Sequence, residues 1–170
     1  MIRENSFSLC KFVTFMTKVL VFGTFDGLHE GHLNFFRQAR NISNLDNRAK
    51  LTTGQVFLIV VVARDSTVLR IKKHTPKYNE NERLKSLLTN SHELVNDALF
   101  GVENHDPNNN SYEIIKEIKP DIICLGYDQA QFEDKLKAEL KRMDLNYVKV
   151  AVLKPYKSEI YKSSLLNSLK

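Results

Sequence analysis

Short, uniformly apolar runs alternate with amphipathic stretches along most of this chain. Residues 18–23 form an apolar run ending in glycine, 55–63 a longer run rich in β-branched side chains, and 121–126 a third. Runs of this length that are apolar at nearly every position read as parallel strands buried on both faces. Weaker runs predict a short strand about residues 98–100 and a last strand at 146–153. Between these runs the spacing turns helical. From His32 to about residue 45, Leu33, Phe35, Phe36, Ala39 and Ile42 recur at helical intervals. Residues 64–78 read as a loop, or a short helix and then a loop. A helix follows at 79–90 with Leu84, Leu87 and Leu88 on one face. Further helices are predicted at 112–118, with Ile114, Ile115 and Ile118 inward, at 130–143, and at 163–170. Pro107 and the three asparagines after it predict a turn at 105–110.

Strands alternating with helices predict one α/β domain, doubly wound and Rossmann-like, with a mostly parallel sheet of about five strands. That domain is expected to span 18–170, with 1–17 as a floppy extension. The polar stretch at 41–54 is longer than an ordinary connection and is expected to be a surface excursion.

Composition narrows the class without naming it. At 42% hydrophobic and 26% charged residues, a 170-residue chain can bury a core, so disorder is excluded as its main state. Two cysteines, Cys10 and Cys124, exclude a disulfide scaffold and a four-cysteine zinc site, and fit a reducing cytoplasm. No apolar run approaches the ~18 residues of a membrane helix. The formal charge of +5 favours small anionic partners such as phosphates or nucleotides. Without a dense Lys/Arg block or an RNA-binding aromatic signature, no nucleic-acid partner is expected.

The chemistry concentrates between the first strand and the first helix, in Gly-Thr-Phe-Asp-Gly-Leu-His-Glu-Gly-His at 23–32. In an open α/β sheet, ligands sit beyond the carboxyl ends of the strands. Gly23, Gly27 and Gly31 allow tight turns and close approach of a phosphate. Their spacing matches neither the Gly-x-Gly-x-x-Gly dinucleotide loop nor a P-loop. His29 and His32 stand where a helix opens, and a helix N-terminus attracts anions through free N–H groups and its partial positive charge. Two imidazoles there would add directed donors, as transfer at phosphorus needs. The alternatives are a pair of surface histidines or a metal pair, and no third ligand nearby favours zinc. Asp26 is expected to cap the loop rather than bind a metal.

This loop resembles the signature of the cytidylyltransferase-like nucleotidyltransferase superfamily, and the resemblance extends over residues 18–170. Members transfer a nucleotidyl group from ATP or CTP to a phosphate-bearing acceptor and release pyrophosphate. Val-Ala-Arg-Asp-Ser-Thr-Val at 62–68 and Leu-Gly-Tyr-Asp-Gln at 125–129, with Phe132 shortly after, are similar to the archaeal-type FAD synthases, which adenylylate FMN. Glycerol-3-phosphate cytidylyltransferases share the first motif but usually end in an Arg-Thr-x-Gly-Ile-Ser-Thr-Thr-like segment. Here that stretch, at 157–164, reads Lys-Ser-Glu-Ile-Tyr-Lys-Ser-Ser.

By this resemblance Thr24 and Phe25 border the nucleotide, and His29 and His32 contact its phosphates and stabilise the transition state. Glu30 and Gly31 line the same turn, Asp128 binds the nucleoside, and the backbone near Tyr156 borders the base. Ser163 and Ser164 offer hydroxyls to the triphosphate. Lys72 is the first candidate for the cation at the α-phosphate, with Lys73 beside it. Arg83 either reaches the phosphates or pairs with Glu80 or Glu82. Asn96 stands where relatives often carry Asp, which is expected to alter a helix-end interaction. Mg²⁺ or another divalent ion is expected with the nucleotide, and a homodimer is expected from the superfamily's habit. The flavin would need an aromatic wall, for which Phe35, Phe36 and Phe132 are available. The other readings are a CTP-dependent cytidylyltransferase for a small alcohol phosphate and a nucleotide-binding protein without transferase activity.

Overall fold

The computed structural model describes residues 16–42, 55–103, 112–157 and 159–161. All but the first two residues of the expected excursion, the turn cluster at 105–110, most of the 1–17 extension and the terminal helix with Ser163 and Ser164 lie outside them.

Five strands form one parallel sheet: β1 Thr17–Gly23, β2 Val56–Val62, β3 Asp97–Phe100, β4 Ile122–Leu125 and β5 Lys149–Val152. Their spatial order is β3-β2-β1-β4-β5. The register runs Val19 beside Leu58 on one flank and Val19 beside Ile122 on the other. The chain winds outward from β1 to β3, returns to β4 on the other flank, and winds outward again. The crossover direction therefore reverses between β1 and β4, and their carboxyl ends flank the crevice where such folds bind ligands.

Side chains alternate between two buried faces. Val19, Val21, Leu58, Val60 and Cys124 point one way, towards Phe36, Ala39 and Leu87. Leu20, Ile59, Ile123 and Leu125 point the other way, towards Ile115, Leu136 and Leu140. The first layer comprises α1 Glu30–Asn41 and α3 Glu80–Asn90, and the second α4 Glu113–Ile118 and α5 Glu133–Arg142. A short helix, α2 Asp65–Lys72, follows β2. Cys124 lies in this core, and burial pushes its thiol up to about 12, so it is not a nucleophile at neutral pH.

Two helix starts and one buried face differ from the hydrophobic pattern. Helix α1 starts at Glu30 rather than His32, because the apolar periodicity begins only at Leu33, after the first turn. The helix expected from residue 130 begins as a 3₁₀ turn, Tyr127–Phe132, and becomes α-helical at Glu133. Leu88 is 44% exposed, while Arg83 and Leu87 occupy the inward face of α3. Asn79 and Glu82 start that helix with a reciprocal capping box. Among the described residues, no helix is long and apolar enough to cross a membrane.

Asn96 acts on the backbone. Its Oδ1 accepts from the Leu58 amide and from the Arg40 guanidinium, so it joins the start of β3 to β2 and to the end of α1. An Asp here would keep both acceptor contacts.

Candidate active site

The loop after β1 is held from beneath by two polar side chains. The carboxylate of Asp26, nearly fully buried, accepts from the backbone amides of Lys77 (2.9 Å) and Tyr78 (3.0 Å). This gives Asp26 the loop-capping role. Arg83, 1% exposed, donates to the carbonyls of Thr24, Ala63 and Tyr78 and to Asp65 Oδ1. These donor contacts all stay within the protein, and its carboxylate partner is Asp65 rather than Glu80 or Glu82. It sits beneath the strand ends and ties the loops after β1 and β2 to the start of α3. A planar guanidinium with five donors suits that task.

Above this base, His29 is the N-cap residue of α1, and its carbonyl accepts from the amides of His32 and Leu33. The first-turn amides of Glu30 and Gly31 precede any intrahelical partner, which leaves them for an anion. The Glu30 carboxylate turns aside to Arg37. His29 and His32 stack with ring centroids 3.8 Å apart and planes 22° from parallel. His32 meets Phe25 edge-on at 5.3 Å, and Phe25 packs on Phe36. Phe25 is thus a buried wall behind the histidines. It has φ 54°, and its ring lies where a Cβ on Gly23 would fall, which is why that position is glycine.

Burial lowers the proton affinity of His29. His32 is lowered to about 3, first by desolvation and then by the positive charges of His29 and Lys72, against a hydrogen bond to the Gly27 backbone. Both shifts favour the neutral ring. The His32 Nδ1 atom is buried without a hydrogen-bond partner. A buried polar atom of this kind costs free energy until something pairs with it.

This burial has a measurable consequence. Folding lowers the His32 pKa below its unfolded value of 6.5, so the neutral ring's contribution is intact above pH 6.5 and is lost as pH falls towards 3. Allowing for the ring's residual solvent contact, the protein should lose about 1–2 kcal/mol between pH 7.5 and 5 from this group. Urea unfolding across that range should show the slope in wild type and a shallower one in His32→Asn. Equal slopes would assign the effect elsewhere.

Lys72 and Lys73 end α2, both exposed, and Lys73 takes a left-handed C-cap conformation. Lys72 is the one whose charge reaches His32. Across the crevice, Gly126 opens the 3₁₀ turn. Gln129 Oε1 accepts from the Gly126 amide, and Gln129 Nε2 donates to the Phe22 carbonyl (3.2 Å). The glutamine of Leu-Gly-Tyr-Asp-Gln thus joins the loop after β4 to the end of β1. Asp128 is exposed, and its Oδ1 lies 2.8 Å from where a Cβ on Gly126 would fall. Tyr156 follows β5 and stacks on Tyr161, a residue that sequence reasoning missed. Of the aromatic wall candidates, Phe36 is buried core, Phe35 packs against that core, and Phe132 is 48% exposed. A cleft of 360 Å³ opens between Phe25–Leu28 and the Glu82–Ser86–Asn90 face of α3, with Tyr78 at its side.

The sequence profile of the cytidylyltransferase-like family matches residues 20–167. The chain belongs to that family. It is 38% identical over 138 residues to an FAD synthase of Methanohalobium evestigatum, covering 81% of this chain and 77% of the relative. It is 35% identical over 150 residues to an FAD synthase of Thermococcus sibiricus, covering 86% and 87%. Among solved structures, the lipopolysaccharide core biosynthesis protein of Thermoplasma volcanium superposes with a TM-score of 0.65 at 31% identity, over 84% of this chain and 99% of that one.

Proposed function

We propose that this nucleotidyltransferase joins the adenylyl group of ATP to FMN, forming FAD and pyrophosphate. The observation that carries the reading is the similarity, over about four fifths of the chain, to proteins named FAD synthase. The geometry of the crevice agrees with the chemistry. The FMN phosphate has a second pKa near 6 and is mostly dianionic at neutral pH. It needs no covalent nucleophile on the protein. Its oxygen attacks the α-phosphorus, the new P–O bond forms, and the bond to the bridging oxygen breaks as pyrophosphate leaves.

The chain's part is to hold the two reactants in line and to meet the charge that grows on the non-bridging oxygens. In this reading the imidazoles of His29 and His32, stacked at the N-terminus of α1, and the cation of Lys72 take that part. Asp128 and Tyr156, beyond β4 and β5, take the nucleoside side. Phe25 and Tyr78 give the adjoining cleft the aromatic walls that a flat ring system packs against.

A divalent cation is expected to arrive with the triphosphate and to neutralise part of its charge. Hard cations such as Mg²⁺ take oxygen ligands and keep several waters. The imidazole nitrogens are therefore matched to the phosphates, and the phosphate oxygens to the ion. Among the described residues, no three His, Cys, Asp or Glu side chains converge on a metal position.

The test is pyrophosphate release with Mg²⁺, crossing ATP and CTP with FMN and glycerol 3-phosphate. Release with ATP and FMN alone, with FAD as product, is the expected result. Release only with CTP and glycerol phosphate would discard the flavin assignment and keep the transfer chemistry.

A further inference from the structure

The segment after β5 brings two tyrosines to the histidine pair. Tyr161 lies over His29, with ring centroids 6.2 Å apart and planes 20° from parallel. Tyr156 lies over Tyr161 at 6.0 Å and 13°. Together with the contacts of His29 on His32, His32 on Phe25 and Phe25 on Phe36, these rings make one continuous column from the C-terminal turn to the buried face of α1. Each separation falls within or below the ~4.5–7 Å range of favourable ring pairs.

Gly31 is the seat of this column. A Cβ at that position would lie 2.9 Å from both Cε1 and Nδ1 of His29 and 3.0 Å from the Tyr161 Cβ. Any side chain there would displace one ring or the other. The turn that delivers Tyr161 is itself built: the amides of Ile160 and Tyr161 both donate to the Lys157 carbonyl, and Lys157 Nζ lies over the Tyr156 ring at 5.5 Å.

We propose that Tyr161 is a positioning residue for His29, fixing the plane of its imidazole so that both histidines present their nitrogens together to the triphosphate. A terminal imidazole torsion is broad and roughly two-fold, so packed ring neighbours narrow it. His32 is one such neighbour. Tyr161 is the second, and it makes the geometry of the pair depend on the C-terminal turn being seated. The flat face of the ring is what acts, not the hydroxyl.

The kinetic part of the test rests on the nucleotidyl-transfer reading, and the spectroscopic part does not. Tyr161→Ala and Tyr161→Leu should lower kcat by about 10–100-fold, the scale of a small misplacement, with the KM for FMN little changed. Tyr161→Phe should restore wild-type turnover. The His29 Cε1 proton, assigned with His29→Gln, should lose its ring-current shift in the Ala and Leu variants and keep it in Phe. Thermal unfolding of all three separates loss of fold from loss of position. Normal turnover with an unmoved His29 resonance in Tyr161→Ala would overturn the proposal. So would a Tyr161→Phe variant as impaired as Ala, since the hydroxyl would then be the working group. If the wild-type protein transfers no nucleotide at all, the functional reading fails and the His29 resonance alone decides the inference.

Discussion

Replacing His32 with alanine is expected to cut turnover by a factor on the order of 10²–10³, the usual loss when one preorganised donor to a developing oxyanion is removed. The expectation comes from where the ring is held. It is stacked on His29, set edge-on against Phe25 and kept neutral by burial, at the mouth of a helix N-terminus. A ring fixed in advance does not have to reorganise as charge builds. The loss should therefore fall on kcat more than on the KM for ATP, because the contact strengthens in the transition state. His32→Asn supplies the control for packing, since it keeps a side-chain amide near the lost nitrogen and leaves less of a cavity beside Phe25. The His29→Ala, His32→Ala double variant should lose far less than the product of the two single effects, because stacked rings that orient each other act as a unit. Steady-state kinetics on the folded variants decide this. A His32→Ala enzyme within a few-fold of wild type would remove the histidine pair from the chemistry.

The histidine loop was legible in the sequence because its signal is local. Three glycines, two histidines and a strand before a helix lie within ten residues, and each has a backbone or dipole reason to be there. The central strands were legible for a related reason. Burial on both faces makes the centres of β1, β2 and β4 apolar at consecutive positions, as parallel strands between two helical layers require. Where partners come from distant backbone, the sequence carried no such signal. Gln129 was visible only as part of a motif, and its bond to the Phe22 carbonyl spans 107 positions. Tyr161 drew no assignment within the stretch 157–164, because an aromatic column leaves no periodicity along the chain. Leu88 was assigned inward by helical spacing, but the buried face of α3 is carried by Arg83 and Leu87.

That arginine carries the second large effect. Arg83→Met should destabilise the protein by about 3–5 kcal/mol, the scale of breaking a buried, paired charge from one side. Against a total of roughly 5–15 kcal/mol for a single domain, this leaves little margin at physiological temperature. The cost has two sources. Asp65, which also caps the start of α3 through the Glu80 amide, loses its 2.5 Å partner. The carbonyls of Thr24, Ala63 and Tyr78 lose the donor that ties three loops together. Arg83→Lys should recover only part of the loss, because an ammonium offers three donors from one point where the guanidinium fork meets four acceptors set around it. Urea unfolding of the three proteins, read beside their kinetics, also separates the two roles an arginine near a phosphate site can have. A fall in the unfolding midpoint that outruns the fall in activity of the remaining folded protein assigns Arg83 to the foundation of the crevice. An unchanged midpoint with lost activity would move it to the phosphates, and the network beneath the Thr24 loop would then have to be held by Asp26 alone.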